Sequence, residues 1–308
     1  MFYADMHCDT ITNLADNGGS LLQNDLQVDL HKLMHFDAPL QFFAIWLNPK
    51  YYDEAGEKLQ SYLAFCLEEF RKHADLISLV KAKGDIAENR KKGKISGLIS
   101  IEGAEGLAGQ PEIIDDLYNK GVREVSLTWN NDTVFACGCN TKNDTGLTEG
   151  GRKLIARMDE LGIILDVSHC SDKTFWDIAG SRKTPFIASH SNARAVRKHQ
   201  RNLDDAQLRT LADHGGIAGI NLFSDFLSEK ERGEISDILE HIDHIINVAG
   251  EEHVGFGCDF EGMVVTPIGI ESVADMTKVG EALTRKYGSR TAAKIMGENA
   301  AALVESML

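Results

Sequence analysis

The chain of 308 residues predicts a closed (β/α)8 barrel, the TIM-barrel class, as one domain over residues 1–308. Three observations predict it: eight short runs rich in β-branched and aromatic residues, helix-like stretches that alternate with them, and a length that suits eight such units. Alternation of this kind calls for a parallel sheet with helical crossovers. Eight units close it.

Taken in order, the strand-like runs cover residues 2–9, 40–47, 95–102, 123–130, 163–169, 185–190, 216–223 and 253–259. Helical patterns occupy 53–79, 111–120, 150–161, 171–179, 204–214, 234–249 and 270–287, and 291–308 closes the chain. Caps punctuate these helices. Ser171 with Asp172, and Asp204 with Asp205, stand where N-caps belong, while Gly121, Gly162, Gly215 and Gly250 follow helical runs where a left-handed turn suits glycine.

The first run ends in His7-Cys8-Asp9. A strand's period of two places His7 and Asp9 on one face and Cys8 on the other, so an imidazole and a carboxylate point together at the strand end. Later runs repeat the pattern. Glu102 ends the third, Trp129 and Asn130 the fourth, His169 the fifth, His190 the sixth and Asp259 the last. In a barrel these C-terminal ends converge on one rim. Two carboxylates and three histidines meeting there make a two-metal site; each taken alone also reads as an ordinary polar strand end.

The stretches Asp5-Met-His7-Cys-Asp9, Ser100-Ile-Glu102-Gly, Leu165-Asp-Val-Ser-His169, Ala188-Ser-His190-Ser-Asn192, Arg201-Asn-Leu-Asp-Asp205 and Gly255-Phe-Gly-Cys-Asp259-Phe resemble, in order, the membrane (renal) dipeptidase family within the amidohydrolase-like barrels. The resemblance implies hydrolysis of dipeptides at a binuclear zinc centre. His7 and Asp9 then hold one metal, His169 and His190 the other, and Glu102 bridges both. It further implies Arg201 and Asp259 as substrate-binding and catalytic residues, and is compatible with a homodimer.

Elementary chemistry supports these roles. Two divalent ions roughly 3.5–4 Å apart need an anionic bridge, and a water between them becomes acidic near neutral pH. Asp259 is placed to take its proton and return it to the leaving amine. The segment from Ser191 to Arg201 carries Arg194, Arg197, Lys198 and Arg201 and no acid, in a chain of net charge −15. A guanidinium there, by resemblance Arg201, would grip the terminal carboxylate of a short peptide. Without a ligand the same segment is a solvated basic loop.

One departure stands out. Where the family has a histidine after Leu-Thr, this chain reads Leu127-Thr128-Trp129-Asn130-Asn131. An indole cannot carry a proton near neutral pH, so polarisation of the substrate carbonyl falls to metal, or to Asn130 or Asn131 as neutral donors. This keeps open a related hydrolase acting on a non-peptide amide or lactone, and a metal-stabilised barrel that binds anions without turnover.

Composition sets further expectations. The acidic balance argues against nucleic acid and anionic membranes. The start of the sequence carries no basic and apolar leader pattern and its end no anchor signal, which points to the cytoplasm. Six cysteines without paired spacing suggest neither disulfides nor a zinc ribbon. Cys8, Cys170 and Cys258 adjoin site residues and read as packing groups rather than catalytic thiols, while Cys137 and Cys139 receive no role.

Overall fold

A computed structural model describes residues 1–263 and 265–308. Its parallel strands are β1 (Ala4–Asp5), β2 (Leu40–Trp46), β3 (Ile77–Leu79), β4 (Ile95–Glu102), β5 (Val122–Ser126), β6 (Ile164–Asp166), β7 (Ile187–Ala188), β8 (Ile217–Ile220) and β9 (Val254–Phe256). Eight of them form a ring. Going round it, β2 pairs with β4 over its whole length, sequential neighbours pair as far as β9, and Asp5 opposite Phe256 joins β1 to β9. The eight-stranded parallel barrel is therefore closed, as the sequence predicts.

β3 is the ninth strand and lies outside the ring. It pairs with Ile95 to Gly97 of β4, on the edge that β5 takes over from Ile99, where the register shifts. The sequence predicts one helix over 53–79. Instead the helix covers Ala55–Lys72, after a 3-10 turn over Pro49–Glu54, and the apolar end of the stretch is β3. Short apolar runs are ambiguous between helix and strand, and Ile77-Ser-Leu79 is too short to declare its period. Helices over Thr10–Asn17, Asp85–Lys91 and Ser224–Leu227 form where the sequence pattern predicts none.

Alternate residues along each strand divide into two buried clusters. Phe43, Ile45, Ile99 and Ile101 pack in the larger one, while Phe42 and Leu98 join Ala4, Met6, Ile164, Ile187 and Ile217 in the second. Glu102 shares the parity of Leu98 and Ser100, so it rises from the inward face at the end of β4.

The predicted caps form. Ser171 accepts from Thr174 N, and Asp204 forms a reciprocal capping box with Gln207. Gly121 and Gly162 close their helices at φ 106° and 73°, a conformation that disfavours any other residue. Among the described residues no helix is long and apolar enough to cross a membrane.

Candidate metal centre and substrate cavity

The predicted strands are too long. β6 stops at Asp166, β7 at Ala188 and β9 at Phe256, so His169, His190 and Asp259 lie in the loops just beyond. His169 and Asp259 adopt φ 66° and 63°, and Glu261 follows at 67°. Non-glycine residues enter this left-handed region at a cost of order 1–3 kcal/mol, which the surrounding structure must offset. The turns aim the side chains at the barrel axis.

They meet there. His7 Nε2 lies 3.6 Å from Glu102 Oε2, 3.7 Å from Asp9 Oδ2 and 3.9 Å from Asp259 Oδ1. The other oxygen of Glu102, Oε1, lies 2.9 Å from His169 Nε2 and 3.5 Å from His190 Nε2. One atom from each of His7, Glu102 and His190, and likewise from His7, Asp9 and Asp259, falls within 4.8 Å of the others. The six carboxylates and histidines named from the strand ends thus come together.

Hydrogen bonds fix the rings. His169 Nδ1 faces Asn130 Oδ1 at 2.7 Å, and His190 Nδ1 faces Ser189 Oγ at 2.7 Å, whose own proton goes to Asp166 Oδ2 at 2.5 Å. Asp166 also accepts from the backbone of Ser168 and Ser189. These partners hold the protons on Nδ1 and leave both Nε2 lone pairs facing the cluster. Asp259 Oδ2 accepts from Asn221 Nδ2 at 2.9 Å. Asp166, Ser189 and Asn221 went unnamed in the sequence reading. The first two stand within its quoted motifs, whereas nothing local marks Asn221.

The donor set fits divalent cations. His7 Nε2 and Asp9 Oδ1 are buried with no hydrogen-bond partner among the described residues. Burial works against charge on His7, yet Glu102, Asp9 and Asp259 hold its pKa well above the usual value. Burial pushes Glu102 well up and Asp259 to about 6. Burial, with Arg201 and His7 nearby, depresses His169 and His190. The pocket concentrates anionic and lone-pair atoms beyond what one imidazolium can neutralise.

A cavity of about 430 Å³ opens over this cluster. Trp129 and Asn130 line it, with Trp129 edge-on to Trp46 at 5.2 Å. The Asn130 oxygen is committed to His169 and to the Cys139 thiol, 3.2 Å away, which gives Cys139 a place in the scaffold.

The basic segment resolves into distinct parts. Arg194 pairs with Asp172 and Arg197 with Glu229. Arg201 instead is 5% exposed, touches His190 O at 3.3 Å and Ser191 Oγ at 3.4 Å, and keeps its Nε without a partner among the described residues. It is a buried cation beside the site. His199 accepts from Arg201 N and packs on Phe226, which steadies that backbone.

The cysteines beside the site are inert. Burial raises the thiol pKa of Cys8 and Cys258 well above the usual value and that of Cys170 to about 12.

The family model described as membrane dipeptidase (peptidase family M19) matches residues 1–306. The chain belongs to that family. Over 263 residues it is 33% identical to an uncharacterized dipeptidase of Schizosaccharomyces pombe, a match that takes in 80% of this chain and 63% of that protein. The chain thus spans less than two thirds of that curated relative.

Solved structures of M19 peptidases match along the whole length. A dipeptidase described as a metallopeptidase of family M19 superposes with a TM-score of 0.92 at 28% identity, covering 99% of this chain and 98% of its own. A metallopeptidase from Rhodobacter sphaeroides, liganded with a phosphinate mimic of the dipeptide L-Ala-D-Ala, superposes with a TM-score of 0.91 at 27% identity, covering 100% and 99%.

Proposed function

We propose that this M19 chain, as one domain over residues 1–308, hydrolyses dipeptides with two divalent cations, most suitably zinc. The observation that carries the reading is Glu102, whose Oε2 faces His7 while its Oε1 faces His169 and His190. His7 and Asp9 would hold one ion, His169 and His190 the other, with one Glu102 oxygen on each. Bound there, the pair supplies Lewis acidity for the scissile carbonyl and an acidified water as nucleophile.

The chain's own residues do the remainder. Asp259, its Oδ2 held by Asn221, offers Oδ1 to take the proton of the attacking water and deliver it to the leaving amine. Arg201 holds the free carboxylate of the second residue through its guanidinium, whose Nε has no partner among the described residues. Trp129, with Trp46, forms an aromatic wall that keeps bulk water from the reacting centre. Asn130 keeps the His169 tautomer and can offer its amide N–H to the carbonyl oxygen.

The test is turnover of free dipeptides, dipeptide amides, cyclic amides and lactones by metal-stripped and zinc-reconstituted protein. Release of amino acids from free dipeptides, abolished by stripping and restored by zinc, is expected. Turnover confined to cyclic amides or lactones would shift the reading to a related amidohydrolase, which Trp129 in the family's histidine position favours. Metal binding without any hydrolysis would leave an anion-binding barrel.

A further inference from the structure

The cavity has a second end that the reaction leaves unused. Its wall there is the helix Thr10–Asn17, which begins directly after Asp9 and turns Asn13, Asp16 and Asn17 toward the cavity, with Asn48 and Tyr62 beside them. Spacings of three and four residues put these side chains on one helical face.

Asp16 is held like a built receptor group. Its Oδ1 accepts from Tyr62 OH at 2.7 Å and Lys58 Nζ at 2.9 Å, and its Oδ2 accepts from Tyr51 OH at 3.2 Å. Partial burial raises its pKa, but the bonds from Tyr62 and Lys58 outweigh this and keep it ionised. A carboxylate oxygen has room for about two donors, so Oδ1 is full, and Oδ2, with Lys50 Nζ 4.0 Å away and beyond hydrogen-bond reach, retains one place. Asn17 Nδ2 is spent on Asn13 O and Oδ1, which leaves Asn17 Oδ1 as a second free acceptor. Asn48 Oδ1 takes Lys50 N, so its amide N–H groups stay free to donate.

Orientation follows from the ring of strands. Arg201 follows β7, whereas Asp16 follows β1 and its anchors Tyr51, Lys58 and Tyr62 follow β2. These lie three to four strands apart in a ring of eight, across the rim from one another. A dipeptide with its carboxylate on Arg201 would extend its first residue toward the side of the rim that carries Asp16.

We propose that Asp16, with Asn17 and Asn48, selects a first residue whose side chain ends in a carboxamide. This deepens the dipeptidase reading and rests on it. Such a group offers N–H donors to Asp16 Oδ2 and Asn17 Oδ1 and an acceptor to Asn48 Nδ2. An aliphatic side chain displaces water from these groups without replacing its hydrogen bonds, and a carboxylate brings no N–H donor to Asp16 Oδ2 or Asn17 Oδ1.

The experiment compares kcat/KM for L-Gln-L-Ala, L-Leu-L-Ala and L-Glu-L-Ala, which differ little in size, on zinc-reconstituted wild type, Asp16→Ala and Asp16→Glu. Wild type should favour Gln-Ala over each of the others by about tenfold or more. Asp16→Ala should bring the Gln-to-Leu ratio close to one, and Asp16→Glu, which keeps an acceptor, should restore part of it. A wild type that prefers Leu-Ala or Glu-Ala, or a ratio unmoved in a folded Asp16→Ala, overturns the assignment while the dipeptidase reading stands. No hydrolysis of any of the three, nor of any other dipeptide, overturns both.

Discussion

His169 and His190 face each other through their Nε2 atoms at 2.8 Å. Asn130 and Ser189 claim the opposite nitrogens, so in this arrangement two lone pairs point at one another across a gap that is unfavourable without a positive charge to share. The pair is poised for a cation before any substrate arrives.

Ser189→Ala removes the link between Asp166 and the His190 ring while leaving the ring itself. Metal affinity should fall about 10- to 100-fold, the usual effect of losing such a partner. Competition with a chelator of known affinity measures it, and unchanged affinity would show that packing alone sets the ring.

Glu102→Gln keeps the shape of the bridge and removes its charge. On the proposed two-ion centre both ions should be lost together, which elemental analysis would read as a fall from two per chain toward none without a stable one-ion form. Loss of a single ion would assign Glu102 to one site only.

Arg201→Ala should cut kcat/KM on free dipeptides by about 100-fold and leave C-terminally amidated analogues within a few-fold, because only the former present a carboxylate for bidentate pairing. Equal losses on the two classes would remove Arg201 from carboxylate recognition.

Gly257 lets the chain pass against its neighbour: a Cβ there would run into Ser189 O and stand 3.2 Å from His190 Cα. Gly257→Ala should destabilise the fold by about 3 kcal/mol and weaken metal binding, since the backbone that carries His190 must move. Denaturant unfolding and metal titration check the two effects.

His241 supplies a pH dependence away from the metals. Its Nδ1 accepts from Ala193 N and its Nε2 donates to Leu227 O, in a site where burial lowers its pKa from 6.5 to about 4, with Asp237 and His244 as its titratable neighbours. The unfolded chain then binds the extra proton first. The stabilisation is complete above pH 6.5 and is lost as pH falls toward 4, by at most about 3 kcal/mol at 1.36 kcal/mol per pH unit. Unfolding free energy measured from pH 7.5 to 4.5 should fall on this slope, and His241→Gln should flatten it.

Much of this was legible in the residues. Alternation gave the barrel, and the strand-end rule gave His7, Asp9, Glu102, His169, His190 and Asp259, because a parallel barrel sends all such ends to one rim whatever their separation in sequence. The parts that escaped depend on the third dimension. β3 is too short to show a period, and Asn221 meets Asp259 only through the pairing of β8 with β9. Asp16 carries no local signal in the sequence, because what sets it apart is the convergence of Tyr51, Lys58 and Tyr62 from beyond the next strand. The basic segment showed its charge plainly, but not that Arg194 and Arg197 turn outward to Asp172 and Glu229 while Arg201 turns in.

The seam between β1 and β9 has a consequence for biogenesis. It brings residue 7 beside residue 259, so β1 has β2 for a neighbour early but waits for the chain as far as residue 259 before its other neighbour exists. Closing so long a loop is an entropic cost that late contacts must offset, and no truncated nascent fragment can assemble the centre. Until that last strand docks, the nascent protein carries exposed edges on both sides of the gap, the interval in which a holding chaperone would matter most.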